Sequence, residues 1–149
     1  MTDWGQDHNG ADGIEAEPID LGDDDDQAET GTAEPALYYR SVDEFVREYL
    51  RHVYRRRIDG RTRCWAAEWW RYDEAVIRLE ALWRAWEHLR QDPALGMSVW
   101  WRDHADHHMP ALMDPDGPFA LATDGEENTC KRGEPLPYVE PPDGLFAKS

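Results

Sequence analysis

Seven of the eight tryptophans lie between Trp65 and Trp101, and most of them recur at spacings of three and four residues. A buried aromatic ring removes roughly 150–250 Å² from water, on the order of 4–6 kcal/mol gross per ring. A chain of 149 residues makes one domain of ordinary size and cannot leave that much stabilisation in solvent. The tryptophan stripe is therefore predicted to be core and not a ligand box, and its spacing makes the fold class all-α.

Three principal helices are predicted. Ser41 with Glu44 forms a capping box, and Val42, Phe45, Val46, Tyr49, Leu50, Val53 and Tyr54 follow as one apolar stripe. This helix is expected to end near Arg57, where Asp59 and Gly60 supply turn chemistry. The second and longest helix is predicted over residues 66–90, with Trp65, Trp69, Tyr72, Val76, Leu79, Trp83 and Trp86 as its inward seam. Glu74 with Arg78 and Glu80 with Arg84 add surface pairs in the favoured order. Asp92 and Pro93 stop it. A third helix is predicted over residues 99–108, with Trp100, Trp101, His104 and Ala105 on its apolar side. Pro110 is expected to restart a short turn through Leu112, and the turn at residues 114–118 to bring Phe119 back onto the core.

The formal charge of -16 is unevenly placed. Residues 1–35 hold twelve acids and no Lys or Arg, whereas residues 36–119 hold thirteen arginines against fourteen acids. So acidic a segment, poor in branched apolar residues, cannot bury enough surface to offset the entropy of ordering; residues 1–36 are expected to be a disordered arm. Residues 37–119 are expected to form the helical domain. Residues 120–149 are expected to be an extended, partly ordered Pro-rich tail, because Pro135, Pro137, Pro141 and Pro142 punctuate it and no apolar period runs through it. No run approaches the ~20 apolar residues of a bilayer span, and the N-terminus lacks the order of a signal peptide. The expected location is the cytoplasm, with no membrane contact. There Cys64 and Cys130 are expected to stay unpaired, Cys64 as a small buried hydrophobe.

Several of these stretches resemble one known family. Trp69-Trp70, Glu74-Ala75, the run from Arg78 through Glu87, the run from Met97 through His104, and the turn from Asp114 to Phe119 are similar to the domain of unknown function 4913 family, with likeness over about residues 37–145. That family occurs in high-GC Gram-positive bacteria and their phages, plasmids and integrated elements. The resemblance implies no activity, cofactor or catalytic residue.

Three constellations could carry chemistry. Arg47, Arg51, Arg55, Arg56, Arg57, Arg61 and Arg63 stand against only Glu48 and Asp59 within residues 47–63, with Tyr49, His52 and Tyr54 interleaved. Arginine clusters neutralise phosphates and release counterions, and an acidic segment of the same chain can compete for them. His104 with His107 or His108 has the spacing to present two imidazoles to one metal, with Cys130 as a soft third ligand, but the Glu of a His-Glu-x-x-His helix is missing. The third is Asp73, Glu74 and Glu80, expected on outward faces and away from any water-poor cleft. One further feature is a break in the pattern of the second helix. Trp70 and Ile77, one heptad apart, are expected on its charged face as an exposed pair that a partner could cover.

The expectation from sequence is a non-enzymatic accessory or protein-interaction module of a mobile element or phage, with Trp70 and Ile77 as partner-binding candidates and no cofactor. A protein partner is expected, and self-association is an alternative. The alternative function is a nucleic-acid-associated protein that uses the seven arginines, gated by the acidic arm. A metal-dependent enzyme built on His104, His107, His108 and Cys130 is the remaining one, and no metal is expected there.

Overall fold

The first helix, α1, starts where its capping residues place it. The Ser41 hydroxyl accepts the Glu44 backbone N–H at 3.1 Å, and the Glu44 carboxylate reaches back to the Arg40 N–H at 2.7 Å, one residue beyond the usual partner in a capping box. A computed structural model describes residues 36–122 and 125–147; the arm expected over residues 1–36 lies, Ala36 apart, outside the described residues. Over them the protein is all-α, with three principal helices around a Trp-rich core and no strand among the described residues.

α1 covers residues 42–53 as α-helical Val42–Phe45, π-helical Val46–Leu50 and α-helical Arg51–Val53. α2 is Asp73–Leu89. α3 covers residues 96–113 as α-helical Gly96–Val99, π-helical Trp100–Ala105 and α-helical Asp106–Met113. A π turn closes its hydrogen bonds one residue later than an α turn, so each π segment moves the buried stripe on by one residue. Phe45 and Leu50 in α1, and Trp100 and Ala105 in α3, are buried pairs five apart.

The π turn in α3 corrects one expectation. With an unbroken α period from Trp100, the inward position would fall to His104; the π turn gives it to Ala105, which is fully buried, and leaves His104 half-buried. α3 is also longer than the predicted helix. It passes through Pro110 instead of restarting there, at the cost of one backbone donor. Its start lies tight against the end of α2: a side chain at Gly96 would meet the Leu89 carbonyl oxygen at 1.9 Å, so only glycine fits.

α2 begins seven residues later than predicted. Residues 65–72 run as turns and a 3-10 segment, Trp69–Arg71, because the C-terminal segment holds their polar groups. The Trp65 indole N–H donates to the Pro137 carbonyl at 3.0 Å, the Asn128 side chain accepts the Ala67 N–H at 2.7 Å, and the Val139 N–H donates to the Ala67 carbonyl at 2.9 Å. Trp65 and Trp69 are nevertheless buried, as are Trp83, Trp86 and Trp100. Glu74 with Arg78 (3.0 Å) and Glu80 with Arg84 (3.5 Å) form the surface pairs expected of them.

The core has two aromatic centres. Phe45 and Tyr49 of α1 meet Trp86 of α2 and Trp100 of α3 at ring distances of 5.0–6.3 Å. Trp100 also donates its indole N–H to the Leu82 carbonyl, tying α3 to α2 at 3.0 Å. The second centre joins Trp65 to Phe119 at 5.1 Å and Phe119 to Tyr72 at 5.2 Å, so the turn at residues 114–118 returns Phe119 to the core as expected. Between the helices, the carboxylate of Glu87 is 5 % exposed and accepts four donors: the backbone N–H groups of Tyr38 and Tyr39, the Trp83 indole and the Arg90 guanidinium.

Residues 125–147 are extended apart from one 3-10 turn, Glu126–Asn128, and turns at residues 132–134 and 143–146, but they lie on the helices as a strap. Leu136 is completely buried, Trp69 stacks on Phe146 at 5.4 Å, and the Tyr138 hydroxyl donates to Asp43 at 2.5 Å.

Candidate nucleic-acid interface

The Arg-rich segment does not continue α1 to Arg57. Helix α1 ends at Val53, and Tyr54 turns away at φ -111 and ψ 78. The reason is burial. Tyr54 stacks on Trp101 at 5.8 Å and 12°, and Ile58 goes into the core beside an antiparallel bridge to Cys130. Asp59 then closes a tight loop, accepting the backbone N–H groups of Arg61 and Thr62 at 2.8 Å and of Arg63 at 3.2 Å. These bonds, with that from the Thr62 hydroxyl, hold its carboxyl well below the usual carboxylate range. Gly60 takes the positive φ of 78° that the loop needs.

The seven arginines divide into two groups. Arg47 is neutralised by Asp43 at 3.0 Å and Glu48 at 2.9 Å, and Arg57 lies 3.5 Å from Asp59. The other five have no carboxylate partner among the described residues. Arg51 donates Nε to the Leu136 carbonyl, Arg55 donates to the carbonyls of His52 and Gly133, Arg56 to that of Arg55, and Arg63 to that of Arg57. Arg61 is exposed. A carbonyl orients a guanidinium without cancelling its charge. Burial pushes the Arg51 guanidinium below its usual value.

Two cations that the sequence reading did not include join this end of the molecule. The Ile58–Cys130 bridge and the Arg55–Gly133 hydrogen bond bring Lys131 and Arg132, both exposed, beside the Arg-rich segment. Residues 51–63 and 130–133 together hold eight Lys and Arg and one acid, Asp59. An open groove of about 790 Å³ is lined by Arg57, Lys131 and Arg132 together with Glu126, Glu127 and Glu134, so its own lining is mixed in charge.

The expected pair of Trp70 and Ile77 is separated by the late start of α2. Trp70 sits in the 3-10 segment ahead of the helix, half-buried, with its indole N–H on the Val139 carbonyl at 2.9 Å and the Arg71 guanidinium over its ring. Ile77 is 68 % exposed on α2. The heptad relation that placed both on one helical face does not exist.

A family model described as a domain of unknown function, DUF4913, matches residues 39–142, a span that includes all three helices, the basic end and most of the strap. The chain belongs to this family. No curated protein matches it, and no solved structure does.

In this DUF4913 domain the histidine cluster is peripheral. His107 is exposed, its ring 4.9 Å from that of His108, and His108 shares a 3.0 Å hydrogen bond with Arg78 of α2. Burial, then the charge of Arg78, pushes the His108 imidazole below its usual value. Among the described residues no three of His, Cys, Asp and Glu converge as a metal would require. Cys130 is engaged elsewhere, its thiol donating to the Arg56 carbonyl at 3.2 Å, and burial pushes the thiols of both Cys130 and Cys64 up. Among the described residues no helix is long and apolar enough to cross a membrane.

Proposed function

We propose that this DUF4913 domain is a non-enzymatic binding module, and that its ligand is a nucleic acid held by its phosphates at the Arg-rich end. The observation that carries this reading is the pairing of the arginines. Elsewhere among the described residues, five of six arginines, Arg71, Arg78, Arg84, Arg90 and Arg102 but not Arg40, lie against a carboxylate, whereas Arg51, Arg55, Arg56 and Arg63 are oriented by carbonyls. An ion pair cancels most of the field a phosphate would meet. A carbonyl-bound guanidinium keeps its charge and has already lost part of its rotamer freedom, so binding costs it less entropy. Counterion release from the phosphates then supplies the driving force.

Whole-chain acidity does not oppose this reading, because twelve of the acids belong to residues 1–35. Fluorescence anisotropy with a labelled oligonucleotide at low salt tests it. Binding is expected for the full chain, tighter binding for a form that begins at Ala36, and at least tenfold weaker binding for Arg55→Glu with Arg61→Glu. Equal affinity before and after the charge reversal overturns the assignment. Ile77, left without Trp70 beside it, is an ordinary lone exposed aliphatic and supports no partner surface of its own.

A further inference from the structure

We propose that the cleft between the loop of residues 54–63 and the C-terminal end of α3 receives one unstacked base, so that the nucleic acid taken by this domain is single-stranded. This inference rests on the phosphate-binding reading of the Arg-rich end. The cleft measures about 260 Å³ and is lined by Tyr54, Arg56, Arg63, Pro110, Met113 and Pro115, together with Thr62 and Asp114. It is smaller than the roughly 300–1,000 Å³ of a pocket for a drug-sized ligand, which suits a single flat ring.

Its chemistry is that of a base site. Arg56 lies over the Tyr54 ring at 4.1 Å, and Tyr54 stacks on Trp101, so a guanidinium plane and two aromatic rings are in contact beside the cleft. The Arg56 Nη1 bond to the Arg55 carbonyl at 2.8 Å fixes that plane. Tyr54 and Arg56 both line the cleft, so the guanidinium can meet a ligand there. Guanidinium planes stack on nucleobases, and a stacked base adds cation–π attraction. Pro110 and Met113 give the apolar walls, and the Thr62 oxygen, whose proton is donated to Asp59, and the Asp114 carboxylate offer acceptors to a base edge.

The cleft lies within the Arg-rich end. Arg56 and Arg63 line it, while Arg55 and Arg61 belong to the same stretch of chain, so phosphates held outside would place a base at its mouth. A duplex keeps its bases stacked inside and cannot reach a cleft of this width without extruding one.

The test compares three probes on the full chain at low salt: a thymidine oligomer of about twelve nucleotides, an abasic strand of the same length, and the corresponding duplex. The thymidine strand is expected to bind at least tenfold more tightly than the abasic strand or the duplex. Thr62→Trp and Pro115→Trp, each of which puts a large ring into the lining of the cleft, are expected to erase that preference and leave abasic binding unchanged, with folding checked by circular dichroism. Equal binding of all three probes overturns the base site while leaving the arginine reading intact. Failure of every probe to bind overturns both.

Discussion

Arg51 and Leu136 hold one another twice: the Leu136 N–H donates to the Arg51 carbonyl at 3.1 Å, and the Arg51 Nε donates to the Leu136 carbonyl at 2.9 Å. The Leu136 side chain between these bonds is wholly buried. The strap is thus fixed to the end of α1 by backbone, guanidinium and core contacts together. Leu136→Ala is expected to cost about 2–5 kcal/mol, the usual range for truncating a buried leucine, read as a lower urea midpoint. A loss below about 0.5 kcal/mol would show that the strap is not part of the folded unit.

The local parts of this fold were legible in the sequence and the non-local parts were not. Ser41 and Glu44 announce the start of α1 because a cap depends on neighbours in sequence, and Glu74 with Arg78 pairs for the same reason. The path of Trp65 and Trp69 could not be read from their spacing. It is set by Pro137, Asn128 and Val139, about 60–70 residues away. The π turns at Val46–Leu50 and Trp100–Ala105 likewise answer to packing between helices, which is why Ala105 is buried as expected while His104, expected on the same apolar side, is only half-buried. In the site, the arginines were visible as a cluster. Which of them keep an unpaired charge was decided by carbonyls in the strap. Lys131-Arg132, a basic dipeptide in an otherwise acidic segment, was the available sign of the rest.

Glu87 is the buried acid on which α2 and the segment before α1 depend. Glu87→Leu would strand the N–H groups of Tyr38 and Tyr39 and the Trp83 indole, and leave Arg90 without this acceptor. A loss of about 3 kcal/mol or more is expected, and Glu87→Gln, which keeps an acceptor oxygen, is expected to lose less. Thermal unfolding followed at 222 nm compares them. Equal midpoints for the two variants would show that the carboxylate contributes no more than packing.

Alkaline pH is expected to weaken the fold from the tyrosine side. Burial, reinforced by Tyr38 and Tyr49, pushes the Tyr39 phenol up to about 12, and burial with the bond to Asp43 pushes Tyr138 up as well. The folded state holds these protons more tightly than the unfolded state does. Their contribution is therefore complete below pH 10, where unfolded tyrosine begins to ionise, and is lost as the pH rises from about 10 to 12. Urea midpoints at pH 9, 10 and 11, with tyrosinate absorbance at 295 nm, follow it. A midpoint that stays constant to pH 11 would contradict the shifts.

Trp70 and Ile77 should respond differently to substitution, because only one of them holds the strap. Trp70→Ala removes a half-buried ring and its hydrogen bond to Val139, for an expected cost of about 1–3 kcal/mol. Ile77→Gln, on the exposed face of α2, is expected to stay within about 0.5 kcal/mol of the parent. Sedimentation velocity of both variants adds the association state. An exclusive effect of Ile77→Gln on self-association would return this face to the role first expected of it.

The dependence of nucleic-acid affinity on salt reads the free arginines directly. Five guanidinium groups without carboxylate partners, each contributing about -0.7 on a single strand, give a slope of log K against log salt of roughly -3 to -4. Anisotropy titrations of the form that begins at Ala36, at several salt concentrations between about 20 and 200 mM, measure it, and Arg55→Glu with Arg61→Glu should make the slope shallower by about 1.4. A slope near zero, or no binding at the lowest salt, would contradict a phosphate-binding role for the Arg-rich end.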